Sequence, residues 1–295
     1  MSDAITAQLD QDVRGISPLR ASWLRFSRNR LAVASCGVMA LICLMCFALP
    51  LCFPFTGNDA DFANLSAPVN LASIHPFGTD DLGRDLFLRT LEGGRMSLLL
   101  GFFGAIVSVV VSVCYGAVAG YLGGKIDALM MRTVDVLLST PFMFLVILIN
   151  LMLGRTNASL FLAVVIGLWL TPSIIARSQA VSLRNREFIY AARAGGMSSA
   201  QIIVQHVIPN SVNVVIVYSS LLVLEAILTE SFLSFLGLGI QPPNASWGTL
   251  IAEGAQQLES DPRLLILPGA FLALTLLSLN YITDGLRDAF DPNDR

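Results

Sequence analysis

Six stretches of this chain are apolar for long enough to cross a hydrocarbon core, which takes about 20 residues of helix, and burying all six leaves few folds open. They cover residues 31–53, 97–122, 128–153, 156–176, 207–238 and 264–283. None alternates with the period of two that a barrel strand needs. The expectation is an all-α membrane protein with six transmembrane helices. Pro141, Pro172 and Pro268 fall inside the stretches, but packed neighbours in a membrane can satisfy the carbonyls they free. Charged residues make up 13% of the chain against about 25% in soluble domains, so polar surface is scarce. A net charge of -3 is too small to argue for nucleic acid or an acidic substrate.

Lys and Arg set the orientation. Thirteen of the 18 lie in the N-terminal arm, the loops after the second and fourth stretches, and the C-terminal tail. The other five, Arg84, Arg89, Arg95, Arg155 and Arg263, lie on the opposite side. Six crossings with both termini cytoplasmic fit that asymmetry. The chain then divides into a cytoplasmic arm with an interfacial helix (residues 1–30) and a transmembrane domain (31–295). Within the domain, residues 54–96 are external, and a cytoplasmic loop (183–210) joins helices 4 and 5. The start does not look like a cleavable signal, because residues 1–19 hold acidic groups and no apolar core. A disordered tail is expected over residues 1–17. Arg20, Trp23, Phe26 and Arg30 then suit an amphipathic helix at the interface.

The usual chemical signatures are thin. Cys36, Cys43, Cys46 and Cys52 belong to the first apolar stretch and Cys114 to the second, where they read as small buried side chains. Two histidines, His75 and His206, are too few for a metal or catalytic cluster. No GxxxxGK[ST] loop occurs, so the chain does not bind ATP that way.

The polar interruption at residues 187–210 is the more informative segment. Its Ala, Arg and Glu favour a helix over about 186–194, including Glu187, Tyr190, Ala191, Ala192 and Arg193. Gly195 and Gly196 end it. Ser198 can cap a second helix over 199–206, and Pro209 marks re-entry into the membrane. Such a helix–glycine–helix knuckle offers a small-residue face, Ala192 included, that another protein can approach closely. Ala191, Ala192, Gly196 and Pro209 resemble the EAA loop of ABC-importer permeases. Tyr190 stands where that family usually has its glutamate, and Ile208 where it has leucine. The resemblance implies that the first short helix is a coupling helix seated in a cleft of an ATPase subunit.

A second string starts at His75-Pro76-Phe77 and runs through Gly78, Thr79, Asp80, Gly83, Arg84 and Asp85 to Arg95-Met96-Ser97. Read from the residues, it is a capped turn leading to a short helix, with Asp81 and Asp85 at i, i+4 and Arg84 and Arg89 beside them. It resembles the HPFGTD-x-x-GRD segment of the second permease subunit of peptide transporters. That likeness implies a part that orders the external entrance and packs on a partner subunit. Residues 229–248, with Asp284-Gly285-Leu286-Arg287-Asp288 and Asp291-Pro292, resemble the same group, nearest its oligopeptide type. Glu225 and Glu230 stand out independently. A carboxylate inside a span is costly, so each needs a partner, a water-filled path or the interface.

The resemblance implies a permease subunit that performs no chemistry. Its implied partners are a second permease subunit forming a heterodimer, two ATP-binding subunits that use ATP and Mg, an extracytoplasmic peptide-binding protein, and the inner-membrane bilayer. It implies no cofactor or metal on this chain. Nickel, glutathione and antimicrobial-peptide permeases share these motifs. A rival from another class is an ion-coupled transporter with Glu225 and Glu230 as proton carriers, which inverted repeats would support; none is visible. An intramembrane enzyme would need paired catalytic groups at depth. Single-cysteine labelling in a Cys-free background tests the topology: positions 191 and both termini should be shielded from impermeant reagent in intact cells, and positions 80 and 247 labelled. External labelling at 191 would overturn the orientation.

Overall fold

The computed structural model describes residues 18–70 and 73–290. The expected tail at residues 1–17, and Asp291 and Pro292, lie outside the described residues. Twelve α-helices follow one another: α1 (Pro18–Arg28), α2 (Arg30–Phe47), α3 (Leu86–Leu122), α4 (Gly124–Leu138), α5 (Phe142–Met152), α6 (Asn157–Leu168), α7 (Leu170–Arg184), α8 (Glu187–Ala194), α9 (Ser199–Ile202), α10 (Ile208–Phe235), α11 (Trp247–Gln256) and α12 (Arg263–Phe290). Four continuous stretches are long and apolar enough to cross a membrane: Arg30–Cys52, Leu86–Leu122, Tyr218–Phe235 and Arg263–Phe290. Two bent pairs, α4 with α5 at 93° and α6 with α7 at 41°, raise the number to six if each is one span. Every apolar stretch of the sequence coincides with one of these, but the third and fourth are broken where straight helices were expected. Pro141, at the start of α5, lacks the N–H that would continue α4 and holds its neighbour out of helical conformation.

Helix starts follow their caps. Asn29 accepts the Ala32 N–H at 3.1 Å and opens α2. Asp85 accepts the Leu88 N–H at 2.6 Å and opens α3, well before the apolar stretch at residue 97. The result is one helix of 37 residues, about 55 Å long.

Helix α3 is the axis of the bundle. It packs along α7 and α10, and more briefly on α2, α6, α11 and α12. Without lipid-independent hydrophobic gain between helices, such contacts depend on close backbone approach through small residues. A methyl group on Gly116 would lie 2.6 Å from the Arg177 N and 2.7 Å from the Ala176 Cβ; on Gly120, 2.5 Å from the Arg177 O. Met39, Ile42, Leu98, Val164, Ile227 and Leu279 close the largest apolar cluster around it. A bidentate ion pair from Arg177 to Asp127, at 2.5 and 2.6 Å, clamps α7 to α4. At one end of the bundle Phe26 of α1 packs with Ala32 of α2 and Ala289 of α12.

Gly116→Val should cost about 1–3 kcal/mol through overpacking against α7, read as a lowered unfolding midpoint of the detergent-solubilised protein. Gly269→Ala, where no atom lies within 4 Å, should be neutral or stabilising.

Candidate functional site

Two polar constructions occupy the ends of α3, and a pair of carboxylates lies on α10.

The knuckle packs against the C-terminal end of α3. Helix α8 has Glu187 in its first turn and Arg193 in its last, the charge order that suits a helix dipole. Ile189 is fully buried among Tyr121, Leu183, Ile202 and Val207, and anchors the helix. Arg193 donates from Nη2 to the Tyr121 hydroxyl at 3.1 Å, with its guanidinium 5.6 Å from the ring centroid. Gly196 has φ +84, a conformation that strains any residue with a Cβ, and closes the bend; a Cβ there would meet nothing within 4 Å. Backbone geometry alone, not a close approach within the chain, therefore asks for glycine.

Ser198 Oγ accepts the Gln201 N–H at 3.3 Å, and Gln201 Oε1 accepts the Ser198 N–H at 2.8 Å, a reciprocal capping box. Helix α9 lasts only to Ile202. A π turn at Ile203–Val207 then carries the chain without a break into α10, whose first turn contains Pro209. The expected stop at Pro209 is thus a continuation, since the first helical turn tolerates a missing N–H. Glu187, Phe188, Tyr190, Ala191, Ala194, Gly195 and Gly196 form an exposed, mostly uncharged surface. Ala191 faces outward, whereas Ala192 is half-buried against the inner cluster.

The other end of α3 carries an ionic cap. Residues 78–85 form a turn between isolated bridges, and helix begins only at Leu86: antiparallel bridges join Thr79 to Asp85 and Ala60 to Arg84. Asp80, with 4% of its surface exposed, is the hub. Its Oδ1 accepts the N–H groups of Leu82 (3.0 Å) and Arg84 (2.9 Å). Its Oδ2 accepts from Arg84 Nε (2.7 Å) and Arg89 Nη1 (2.9 Å). Arg89 is buried and also donates to Glu253 of α11 at 2.9 Å, tying α3 to α11. Thr79 Oγ1 accepts the Ala67 N–H at 2.9 Å and donates to the Asn64 carbonyl.

Asp85 caps α3 with one oxygen and faces His75 Nδ1 with the other at 2.9 Å. His75 Nε2 lies 3.5 Å from Asp61, whose carboxyl the Asn64 amide and the Ala63 N–H hold below the usual carboxylate range. Gly78 and Gly83 have φ +83 and +74 and make the turns. Asp81 is exposed and outside the network, so Asp80 takes the place beside Arg84 and Arg89 that the i, i+4 reading gave to Asp81. Arg95 also stands apart, half-buried beside a depression shared with Thr56, Glu92 and Asn244. Glu253 carried no local signal: it lies 164 positions from Arg89.

On α10, Glu230 is fully buried and accepts from Ser97 (2.8 Å) and Ser234 (2.7 Å), with Ser231 at 3.4 Å. Ser97 Oγ in turn accepts the Trp247 N–H at 3.4 Å, and Trp247 Nε1 donates to the Thr90 carbonyl at 3.0 Å. The carboxylate thereby joins α3, α10 and α11. Glu225 is exposed. Among the described residues no three or more His, Cys, Asp or Glu side chains are grouped so as to hold a metal ion.

Two family models match the chain. Residues 112–294 match the binding-protein-dependent transport system inner membrane component, and residues 17–70 match the N-terminal TM domain of oligopeptide transport permease C. The chain is similar to the oligopeptide transport system permease protein OppC of Haemophilus influenzae, with 50% identity over 92% of this chain and 87% of that protein. The Escherichia coli K12 protein of the same description is 48% identical over 96% and 94%. The Bacillus subtilis one is 35% identical over 96% and 92%.

Removing Arg89 leaves Asp80 buried with one partner fewer, so Arg89→Ala should destabilise by about 3–5 kcal/mol. Arg84→Ala, at a more exposed position, should cost about 1 kcal/mol. Denaturant unfolding of the purified protein in detergent checks both.

Proposed function

The chain belongs to the family of inner-membrane components of binding-protein-dependent transport systems, and from that premise we propose that it is one of two permease subunits of an ATP-driven oligopeptide importer. It is the membrane-spanning permease component and not the ATPase. The observation that carries the peptide assignment is the likeness over nearly the whole chain to oligopeptide permeases of three organisms.

In this reading a second permease subunit completes the path, two ATPases hydrolyse ATP with Mg, and an extracytoplasmic binding protein delivers peptide. The knuckle is the coupling element. Its anchor, Ile189 with the Arg193–Tyr121 contact, ties an exposed small-residue face to the end of α3. A push on α8 is thereby passed to the longest helix of the bundle. The face has Tyr190, 54% exposed, where an acidic residue is usual in the family, so the ATPase contact here is aromatic. The ionic cap closes the opposite, external end and holds α3 to α11. ATP can shift the path between inward and outward access only if it binds the two states unequally.

The proposed topology has six crossings and cytoplasmic termini. Its supports are the distribution of Lys and Arg and the contact of α1 with the end of α12. The domain reading, a cytoplasmic arm (1–30) ahead of a membrane domain (31–295), is part of the same proposal. In α1, Trp23 is 68% exposed and stacks on Phe26, an arrangement suited to a membrane interface.

Reconstituted with its three kinds of partner, the wild type should import a radiolabelled tripeptide only when ATP is supplied. Gly196→Asp should reduce that import to background while the subunit remains in the membrane, because the bend and the docking face are both spoiled. Uptake that follows a pH gradient and survives without ATP would favour an ion-coupled transporter instead.

A further inference from the structure

Glu225 and Glu230 stand five positions apart on one helix, and the fold treats them in opposite ways. At ~100° per residue they point about 140° apart around α10. Glu230 is enclosed by serine hydroxyls. Glu225 is exposed, and among the described residues its carboxylate has no hydrogen-bonding or ionic partner.

The stripe that carries Glu225 also carries Tyr218, Leu221, Leu228 and Phe232, so that the five follow one another in steps of three, four, three and four residues along the helix. These four are 40–46% exposed. Helix α10 is flanked by α3, α6, α7, α11 and α12. It nevertheless keeps one open line, with an unpaired carboxylate about 15 Å from its Phe235 end.

Hydrocarbon does not suit that carboxylate. A contact sealed against another subunit would have to bring it a donor, since an unpaired buried charge is strongly disfavoured. A water-filled trough satisfies it, and a passing cation satisfies it better. We propose that this stripe lines the translocation path and that Glu225 receives the positive groups of the cargo peptide, its N-terminal ammonium and its Lys or Arg side chains. This rests on the import reading above. Tyr218, Leu221, Leu228 and Phe232 give peptide side chains an apolar wall that demands no particular hydrogen-bonding pattern. Glu225 adds a preference by charge. Glu230, in contrast, is a positioning residue for α3 and α11 and never meets the cargo.

The test uses the whole transporter in proteoliposomes with saturating binding protein, a lysine-rich tripeptide and a glutamate-rich tripeptide of matched size. Initial ATP-driven rates are compared per assembled complex. Glu225→Gln should lower the ratio of lysine-peptide to glutamate-peptide uptake by about tenfold, the size expected for one lost charge-assisted contact. Glu225→Asp should keep most of the wild-type ratio. If Glu225→Gln leaves the ratio unchanged while the wild type imports both peptides, the stripe faces the second subunit or lipid and the proposal falls. If the wild type imports neither peptide with ATP, the import reading itself falls and takes this proposal with it.

Discussion

The structure depends on how closely α3 can be approached. At Gly116 and Gly120 the backbones of α3 and α7 are in contact, and no side chain larger than hydrogen fits between them. In a membrane, where burying Leu against Leu gains little over burying it against lipid, this contact replaces the hydrophobic drive that organises a soluble core. The other long elements are arranged around that axis. The two ends of α3 are then fixed about 55 Å apart, one under the Asp80 network and one under α8.

The two ends are built with different physics. The cap is ionic and redundant: Asp80 accepts four hydrogen bonds, and Arg89 bridges it to Glu253 on another helix. Such a network resists rearrangement, because breaking one member leaves a buried charge uncompensated. The knuckle has an apolar underside, Ile189 with Ile202, Ile203 and Val207, one hydrogen bond from Arg193, and a bend made by Gly196. Its outer face carries small and aromatic groups in place of charges. Its buried residues and the Arg193–Tyr121 hydrogen bond join it to the end of α3.

The carboxylates of α10 show why burial has to be seen to be understood. Glu225 and Glu230 have the same side chain and stand on the same helix, five residues apart. Glu230 meets Ser97 from α3 and Ser234 from its own helix, and becomes a structural joint. Among the described residues the Glu225 carboxylate has no hydrogen-bonding or ionic partner, and so points to whatever fills the space beside it.

Much of this was legible in the residues. Six apolar stretches of spanning length required helices, because no other open structure satisfies the backbone in lipid. The glycines at 195 and 196, the serine at 198 and the alanines before them marked the knuckle, because caps and bends are local matters of a few residues. Asp85 as a helix cap was equally local, yet the longer helix it starts was missed, since Arg89, Glu92 and Arg95 break the apolar run ahead of residue 97. The 93° break between α4 and α5 was missed although Pro141 was visible, because a proline in a membrane helix bends or does not according to its neighbours. Only tertiary structure decided that Asp80 and not Asp81 is the hub, that Glu253 completes it, and that Ala191 faces out while Ala192 faces in. It alone separated Glu230 from Glu225. Sequence determines what a segment can be by itself; which distant group it meets depends on backbone approach between helices, and that is set by packing across the whole bundle.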